Sequence, residues 1–312
     1  MSIRVFDAHC DTAFELWRRK EPLARNSCHI DLEKAENFSA YAQVFAFCSL
    51  SGYMKNAPIT TQDLLNLPLE KLRAEVAADS ERIAFACSAE EVEALGAQGK
   101  TAALLSIEGP EVIDCDPNAL EKRREQGFVM TTLTWNADNR LAGWHGSGNG
   151  LTDAGRDFVR QAERLSMAVD VSHLSEAAFW DLTRVAGKPI LASHSNCRAL
   201  CDVSRNLTDD QLRAIADSGG VVGLNLYTEF LGDGADFTTL LRHLEHIMDI
   251  CGEGGAVLGG DLDGCETLPK GFAHVGSYLD FYRFLQAHGY DETLLDRIFY
   301  DNFLQFLKRE AH

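Results

Sequence analysis

Short apolar runs recur along the chain, separated by stretches in which apolar positions return every three to four residues. The runs are rich in Val, Ile, Leu and Ala and read as strands at about 3–8, 41–47, 101–107, 127–133, 167–172, 189–193, 220–226 and 256–260. The run Gly220-Val221-Val222-Gly223-Leu224-Asn225-Leu226 is apolar with almost no alternation. That pattern belongs to strands covered on both faces, as in a parallel sheet wrapped by helices. Helical spacing marks 61–82, 153–165, 175–185, 236–251 and 291–308. Thr208-Asp209-Asp210-Gln211 sets a hydroxyl at a helix start and Gln three residues on, a capping box.

Eight strands alternating with helices predict an α/β chain folded as a (β/α)8 barrel of the TIM type. A doubly wound open sheet is the alternative. No Gly-x-Gly-x-x-Gly follows the first strand, so the usual dinucleotide site of that fold lacks support. The polar segment 12–40 and the helix-rich region 48–100 read as helical decorations, and 1–312 as a single barrel domain. The stretch 143–150 carries four glycines and reads as a loop or flexible cover over the active face.

Composition narrows the function classes. At 312 residues and 46% hydrophobic, the chain can bury a sizeable core. Lys and Arg number 29 against 47 Asp and Glu, a net charge of −18 that repels phosphate backbones and excludes a nucleic-acid partner. The nine cysteines are odd in number and form no Cys-x-x-Cys pair, which suits reduced thiols in a cytoplasmic protein. The first residues lack a signal-peptide pattern, and no apolar run reaches about 18 residues, so no membrane partner is expected.

The C-terminal ends of barrel strands are where chemistry is sought. The first strand ends in Asp7-Ala8-His9-Cys10-Asp11. On an extended backbone, residues two apart leave the same face, so His9 and Asp11 can grip one divalent ion. Alone, the pair equally suits a strand running into a turn. The later strand ends add to it: Glu108 after the third, His173 after the fifth, His194 after the sixth and Asp261 after the eighth. All are metal-ligand types. Two imidazoles from adjacent strands can hold one zinc, His9 and Asp11 a second, and Glu108 can give an oxygen to each. Such a pair would share a hydroxide present at neutral pH, because zinc lowers the pKa of bound water to about 7. Asp261 is then the natural general base.

Arg205 follows the sixth strand. It reads either as an anchor for a substrate carboxylate or as a surface residue paired with Asp209 or Asp210. His145 rides on the Gly-rich loop and is a candidate to reach a pocket. His243 and His246 read as a solvated helix face, and His29, His274, His288 and His312 have no partner in sequence. No Gly-x-Ser-x-Gly elbow supports serine chemistry. A thiol role for Cys10 conflicts with a metal on the neighbouring imidazole.

Taken together these segments resemble the membrane (renal) dipeptidases of the amidohydrolase superfamily over nearly the whole chain. Asp7-Ala8-His9-Cys10-Asp11 is similar to that family's opening metal motif, and Ser106-Ile107-Glu108-Gly109 to its bridging-glutamate segment. Gly150-Leu151-Thr152-Asp153-Ala154-Gly155-Arg156 and Val169-Asp170-Val171-Ser172-His173-Leu174-Ser175 resemble the run into the first later histidine. Ala192-Ser193-His194-Ser195-Asn196 resembles the second. Ser204-Arg205-Asn206-Leu207 matches the substrate-carboxylate arginine, which favours the anchor reading of Arg205. Gly259-Gly260-Asp261-Leu262-Asp263-Gly264 matches the catalytic-aspartate segment, and Asp301-Asn302-Phe303-Leu304 the closing motif.

The resemblance implies two zinc ions per chain, hydrolysis of small dipeptides with tolerance of a C-terminal D-residue, and a homodimer. One position departs from it. After the fourth strand the family commonly reads Leu-Thr-His-Asn, whose His contacts substrate, whereas this chain reads Leu133-Thr134-Trp135-Asn136. Either Trp135 or His145 takes over that contact, or the substrate is another amide, such as an N-acyl-D-amino acid.

Overall fold

A computed structural model describes residues 2–49 and 59–310. Its parallel strands are β1 (Arg4–Cys10), β2 (Ala40–Cys48), β3 (Ile83–Phe85), β4 (Thr101–Glu108), β5 (Phe128–Thr132), β6 (Ala168–Asp170), β7 (Leu191–Ala192), β8 (Val221–Leu224) and β9 (Ala256–Leu258). β1 pairs with β2 and β9, β2 pairs with β4, and β4 to β9 follow in order. Eight strands therefore close a ring, and the (β/α)8 barrel expected from the apolar runs is the fold. β3 stands outside the ring. It pairs with the opening residues Thr101–Ala103 of β4, on the edge that β5 takes over at Leu105. Three residues are too few to show a period, so this strand left no trace in the sequence pattern.

Continuous apolar runs are explained by burial on both faces. Phe6, Ala8, Ala42, Val44, Ala102, Leu104, Ala168, Leu191, Val221 and Val257 form one buried cluster inside the barrel. Their neighbours Val5, Phe45, Leu105, Val169, Val222 and Leu258 face the helices in a second cluster. The helix Asn302–Glu310 closes the floor. Phe303 meets Phe6 edge to face at 4.6 Å, and the Asn302 amide donates to the carbonyls of Glu253 and Ala256. Arg4 pairs with both oxygens of Asp301 at 2.7 and 2.8 Å. With the floor packed, the C-terminal ends of the strands form the open face.

The capping box at Thr208 is present: Thr208 Oγ1 accepts from Gln211 N at 3.2 Å and Gln211 Oε1 accepts from Thr208 N at 2.9 Å. It opens the helix Asp209–Asp217. Helices at Thr12–Arg19 and Ala89–Ala97 lie within the segments read as helical decorations without bounds, and those at Ala119–Glu125 and Tyr278–Ala287 have no counterpart in the sequence pattern. All are short, and two to three turns carry too few apolar positions to declare a period.

Close backbone approach at β8 and β9 seats one site residue. A Cβ on Gly223 or Gly259 would lie 1.8 or 1.7 Å from the Ser193 carbonyl oxygen. The missing side chains let Ser193, and with it His194, reach into the barrel mouth.

Candidate active site

β1 does not run straight into Asp11. Its register against β2 shifts between Asp7 and Cys10, so three steps on β1 match two on β2. This is a bulge, a device that re-aims a side chain. Asp11 then has φ −100° and ψ 12° at the start of the helix Thr12–Arg19. The extended geometry expected to unite His9 and Asp11 is therefore absent. A bulge and a helix start unite them instead, leaving His9 Nε2 3.5 Å from Asp11 Oδ2. Buried Asp7 holds the bend, accepting from His9 N at 3.0 Å, Gly260 N at 3.0 Å and the Tyr278 hydroxyl at 2.6 Å.

Glu108, His173, His194 and Asp261 join this pair at the barrel mouth. His9 Nε2 lies 3.7 Å from Glu108 and 3.8 Å from Asp261. Glu108 Oε1 lies 2.9 Å from His173 Nε2 and 3.5 Å from His194 Nε2. Among the described residues seven non-glycine positions have positive φ, and three of them, His173 (70°), Asp261 (56°) and Asp263 (69°), belong to this cluster or border it. Strained backbone gathers where surrounding structure holds a side chain in one direction.

The outer nitrogens fix the tautomers of two rings. His173 Nδ1 lies 2.9 Å from Asn136 Oδ1, an acceptor, so Nδ1 carries the proton. His194 Nδ1 lies 2.7 Å from Ser193 Oγ. That hydroxyl gives its own proton to Asp170, which also accepts from the Ser172 and Ser193 amides, so His194 Nδ1 is again the donor. Both Nε2 atoms are then bare. They face each other at 3.1 Å with Glu108 Oε1 beside them. Two bare nitrogens and a carboxylate oxygen converge there, and buried His9 Nε2 also lacks a hydrogen-bond partner. A divalent cation satisfies such a set, and outer-nitrogen bonds of this kind orient imidazole ligands.

Charge points the same way. Burial holds His173 and His194 well below the ordinary imidazole pKa, so both rings are neutral, the form that can bind a metal. Burial also lowers His9, but attraction to Glu108, Asp11 and Asp261 outweighs it and lifts the group to about 10. Burial pushes Glu108 up to about 8 and Asp261 up to about 6, each opposed by His9. The centre is short of positive charge. Three donor groups, His9/Asp11/Glu108, Glu108/His173/His194 and His9/His194/Asp261, each bring their ligand atoms within 4.8 Å of one another. The first two share Glu108, which fits two cations with one bridging carboxylate.

A cavity of about 810 Å³ opens onto this cluster, lined by Glu108 and Asp261 and by Trp135, His145, Arg205 and Phe230. Arg205 is 4% exposed, so it is not a surface partner of Asp209 or Asp210. His246 pairs with Asp209, and Arg213 with Asp210. Arg205 Nη1 donates to Ser195 Oγ at 2.9 Å, and the guanidinium carbon lies 5.5 Å from the Phe230 ring centre. Its Nε and Nη2 are buried without a partner. Unspent donors on a buried cation are costly unless a ligand uses them, and a carboxylate matches this fork. Trp135 and His145 flank His173, with ring centres 6.4 and 6.3 Å from it.

The Gly-rich stretch is tied down rather than a flexible cover. Gly143 N donates to Gly150 O, Ser175 N to Gly143 O, and Trp144 N and Asn149 Nδ2 to the Asp138 carboxylate. Elsewhere the structure corrects the reading of two histidines. His243 is fully buried, not on a solvated face; its Nδ1 accepts from Cys197 N at 3.2 Å. Cys10 is buried with its thiol pKa pushed well up by desolvation, which removes it as a nucleophile. His29 does have a partner: its Nδ1 accepts from Asp263 N at 3.0 Å. His312 lies outside the described residues.

The sequence reading passed over the supporting polar groups. Asn225 Nδ2 donates to Asp261 Oδ2 at 3.0 Å and to His194 O at 3.2 Å. Its signal was available, as the lone amide in an apolar strand. Asn136 and Asp170 lie within or beside the family-like motifs, and only the fold shows what they hold.

A family model described as membrane dipeptidase (peptidase family M19) matches residues 1–312. An uncharacterized protein in the pqqA 5′ region of Klebsiella pneumoniae is 38% identical over 260 residues, covering 79% of this chain and 96% of that protein. A metallo peptidase of Rhodobacter sphaeroides, solved with a phosphinate mimic of the dipeptide L-Ala-D-Ala, superposes with a TM-score of 0.91 at 30% identity. That match covers 99% of this chain and 100% of the other. The metallo peptidase dipeptidase AC superposes with a TM-score of 0.92 at 30% identity, covering 99% of both chains.

Proposed function

We propose that this chain, which belongs to the membrane dipeptidase family (peptidase family M19), hydrolyses small dipeptides at a pair of zinc ions held at the barrel mouth. The observation that carries the reading is the convergence of bare acceptors on Glu108 beside a buried arginine with two unspent donors. His9 and Asp11 would hold one ion, His173 and His194 the other, and Glu108 both. When bound, the ions would supply Lewis acidity and lower the pKa of water enough for attack at neutral pH.

The chain's own groups do the rest. Arg205 takes the free carboxylate of the C-terminal residue on Nε and Nη2, in the two-pronged form that suits a guanidinium. Phe230 and Ser195 hold the guanidinium in place. Asp261 takes a proton from the attacking water and returns it to the leaving amine. The Asn225 amide keeps Asp261 Oδ2 hydrogen-bonded and leaves Oδ1 towards His9. Tolerance of a C-terminal D-residue belongs to the same reading, supported by the L-Ala-D-Ala mimic bound by the Rhodobacter sphaeroides relative. So do a homodimer and a cytoplasmic location. An odd count of nine cysteines with no Cys-x-x-Cys pair supports the location, and no helix among the described residues is long and apolar enough to cross a membrane.

A panel of L,L-dipeptides, L,D-dipeptides and N-acyl-D-amino acids tests the substrate. Cleavage of free-amine dipeptides is expected; activity confined to N-acylated substrates would replace the reading with an N-acyl-D-amino acid hydrolase, which Trp135 at the cavity wall favours. Arg205→Met is expected to lower kcat/KM for dipeptides by about 10²-fold, since losing one partner of a buried charged pair costs roughly 2–5 kcal/mol. Dipeptide amides, which lack the carboxylate, should be cleaved equally by both forms. An equal loss on both substrates would mean that Arg205 does not read the carboxylate.

A further inference from the structure

His145 is held at three points, although it sits in a loop rich in glycine. Its backbone N–H donates to the His173 carbonyl at 2.7 Å. Its ring packs edge-on against Trp144 with centres 4.6 Å apart. Its Nδ1 lies 2.9 Å from Ser204 Oγ, one residue before Arg205. The tight fold of the loop depends on glycine next to it: a Cβ on Gly146 would lie 2.4 Å from the Trp144 ring. Trp144 itself bridges to Leu174, directly after His173. The ring is thus fixed against the strand end that carries one candidate ligand and against the loop that carries the carboxylate anchor.

A ring held this firmly is preorganised, and preorganised donors are what stabilise charge that appears only in a transition state. Asn136 gives its oxygen to His173 Nδ1, and the unspent Nε and Nη2 of Arg205 suit a carboxylate. With Nδ1 turned to Ser204, Nε2 is the ring atom left for the cavity. A Ser204 hydroxyl donating to Nδ1 places the single imidazole proton on Nε2.

We propose that His145 is a catalytic residue whose Nε2–H holds the oxygen of the scissile carbonyl as that carbon becomes tetrahedral, with Ser204 as the positioning residue that sets its tautomer. The inference rests on the hydrolase reading above and deepens it. Attack converts the carbonyl into an oxyanion, and the hydrogen bond from Nε2 strengthens as the charge grows. No proton leaves His145, and the oxyanion collapses back to a carbonyl as the amine departs. Trp135, its ring centre 6.4 Å from that of His173, then serves as cavity wall.

The test measures kcat, KM, zinc content and affinity for a phosphinate dipeptide mimic in the wild type, His145→Ala, His145→Gln and Ser204→Ala. Losing one such donor typically lowers kcat by about 10²–10³-fold. His145→Ala is expected to show that loss in kcat with KM little changed, and a comparable loss of phosphinate affinity. Zinc content should stay at the wild-type level. Gln can offer an amide N–H close to the Nε2 position, so His145→Gln should recover part of the rate. Ser204→Ala should lose less, in kcat rather than KM. The proposal is overturned if His145→Ala keeps kcat within about threefold, if its whole effect falls on KM, or if Gln restores nothing. A wild type that cleaves no dipeptide sinks the dipeptidase reading itself, whereas a cleaving wild type with an indifferent His145→Ala sinks this inference alone.

Discussion

Asp261→Asn is expected to lower kcat by about 10²–10⁴-fold, the usual worth of a positioned general base. The substitution is chosen to leave everything else in place. Asp261 has φ 56°, a region that Asn tolerates better than other side chains. Asn is nearly isosteric, and its side-chain oxygen can still accept from the Asn225 amide as Asp261 Oδ2 does at 3.0 Å. What is lost is the capacity to take a proton. Burial already raises the Asp261 carboxyl to about 6, so it is a stronger base than an exposed aspartate. Zinc content and melting temperature should match the wild type, and kcat should carry the loss. A variant within tenfold of wild-type kcat would assign the proton transfer to another group.

Stripping divalent ions with a chelator is expected to take activity to background and to lower the melting temperature, with both recovered on adding zinc. His173 and His194 point bare Nε2 atoms at each other across 3.1 Å, and Glu108 adds a carboxylate oxygen to the same space. Without a cation, that cluster must take up protons or endure repulsion. The apolar floor, where Phe303 packs on Phe6, is built without these ligands, so the stripped chain should still fold. An ion at about a hundred times its dissociation constant stabilises by about 2.7 kcal/mol, enough to move a melting curve by several degrees. Metal analysis of protein prepared without chelator should find about two zinc per chain. Unchanged activity and melting after stripping would remove the dimetal reading.

Much of this was legible in the order of residues. Eight apolar runs, each buried on both faces, announce a closed parallel barrel, because only helices outside and side chains inside can cover such strands. A barrel in turn says where to look, and His9, Glu108, His173, His194 and Asp261 fall at the ends of five of its strands because the chain returns to the open face at each crossover. Local chemistry was enough for that, as it was for the capping box at Thr208.

What the linear order could not carry was convergence. His9 and Asp11 meet through a bulge and a helix start, which a rule of alternating faces does not contain. The burial of Arg205, and its freedom from Asp209 and Asp210, depends on Ser195 and Phe230, ten and twenty-five residues away. His243 looked solvated because its helix period says nothing of the Cys197 loop that covers it. His145 is the sharpest case, since a histidine among glycines reads as mobile until His173, Trp144 and Ser204 are seen to hold it. The sequence by itself determined the strands, the donor types and their placement at one end of a barrel, because these follow from periodicity and side-chain chemistry. The tertiary structure alone decided which nitrogens are bare, which donors are unspent and which loop is rigid, because those properties belong to distances between residues far apart in the chain.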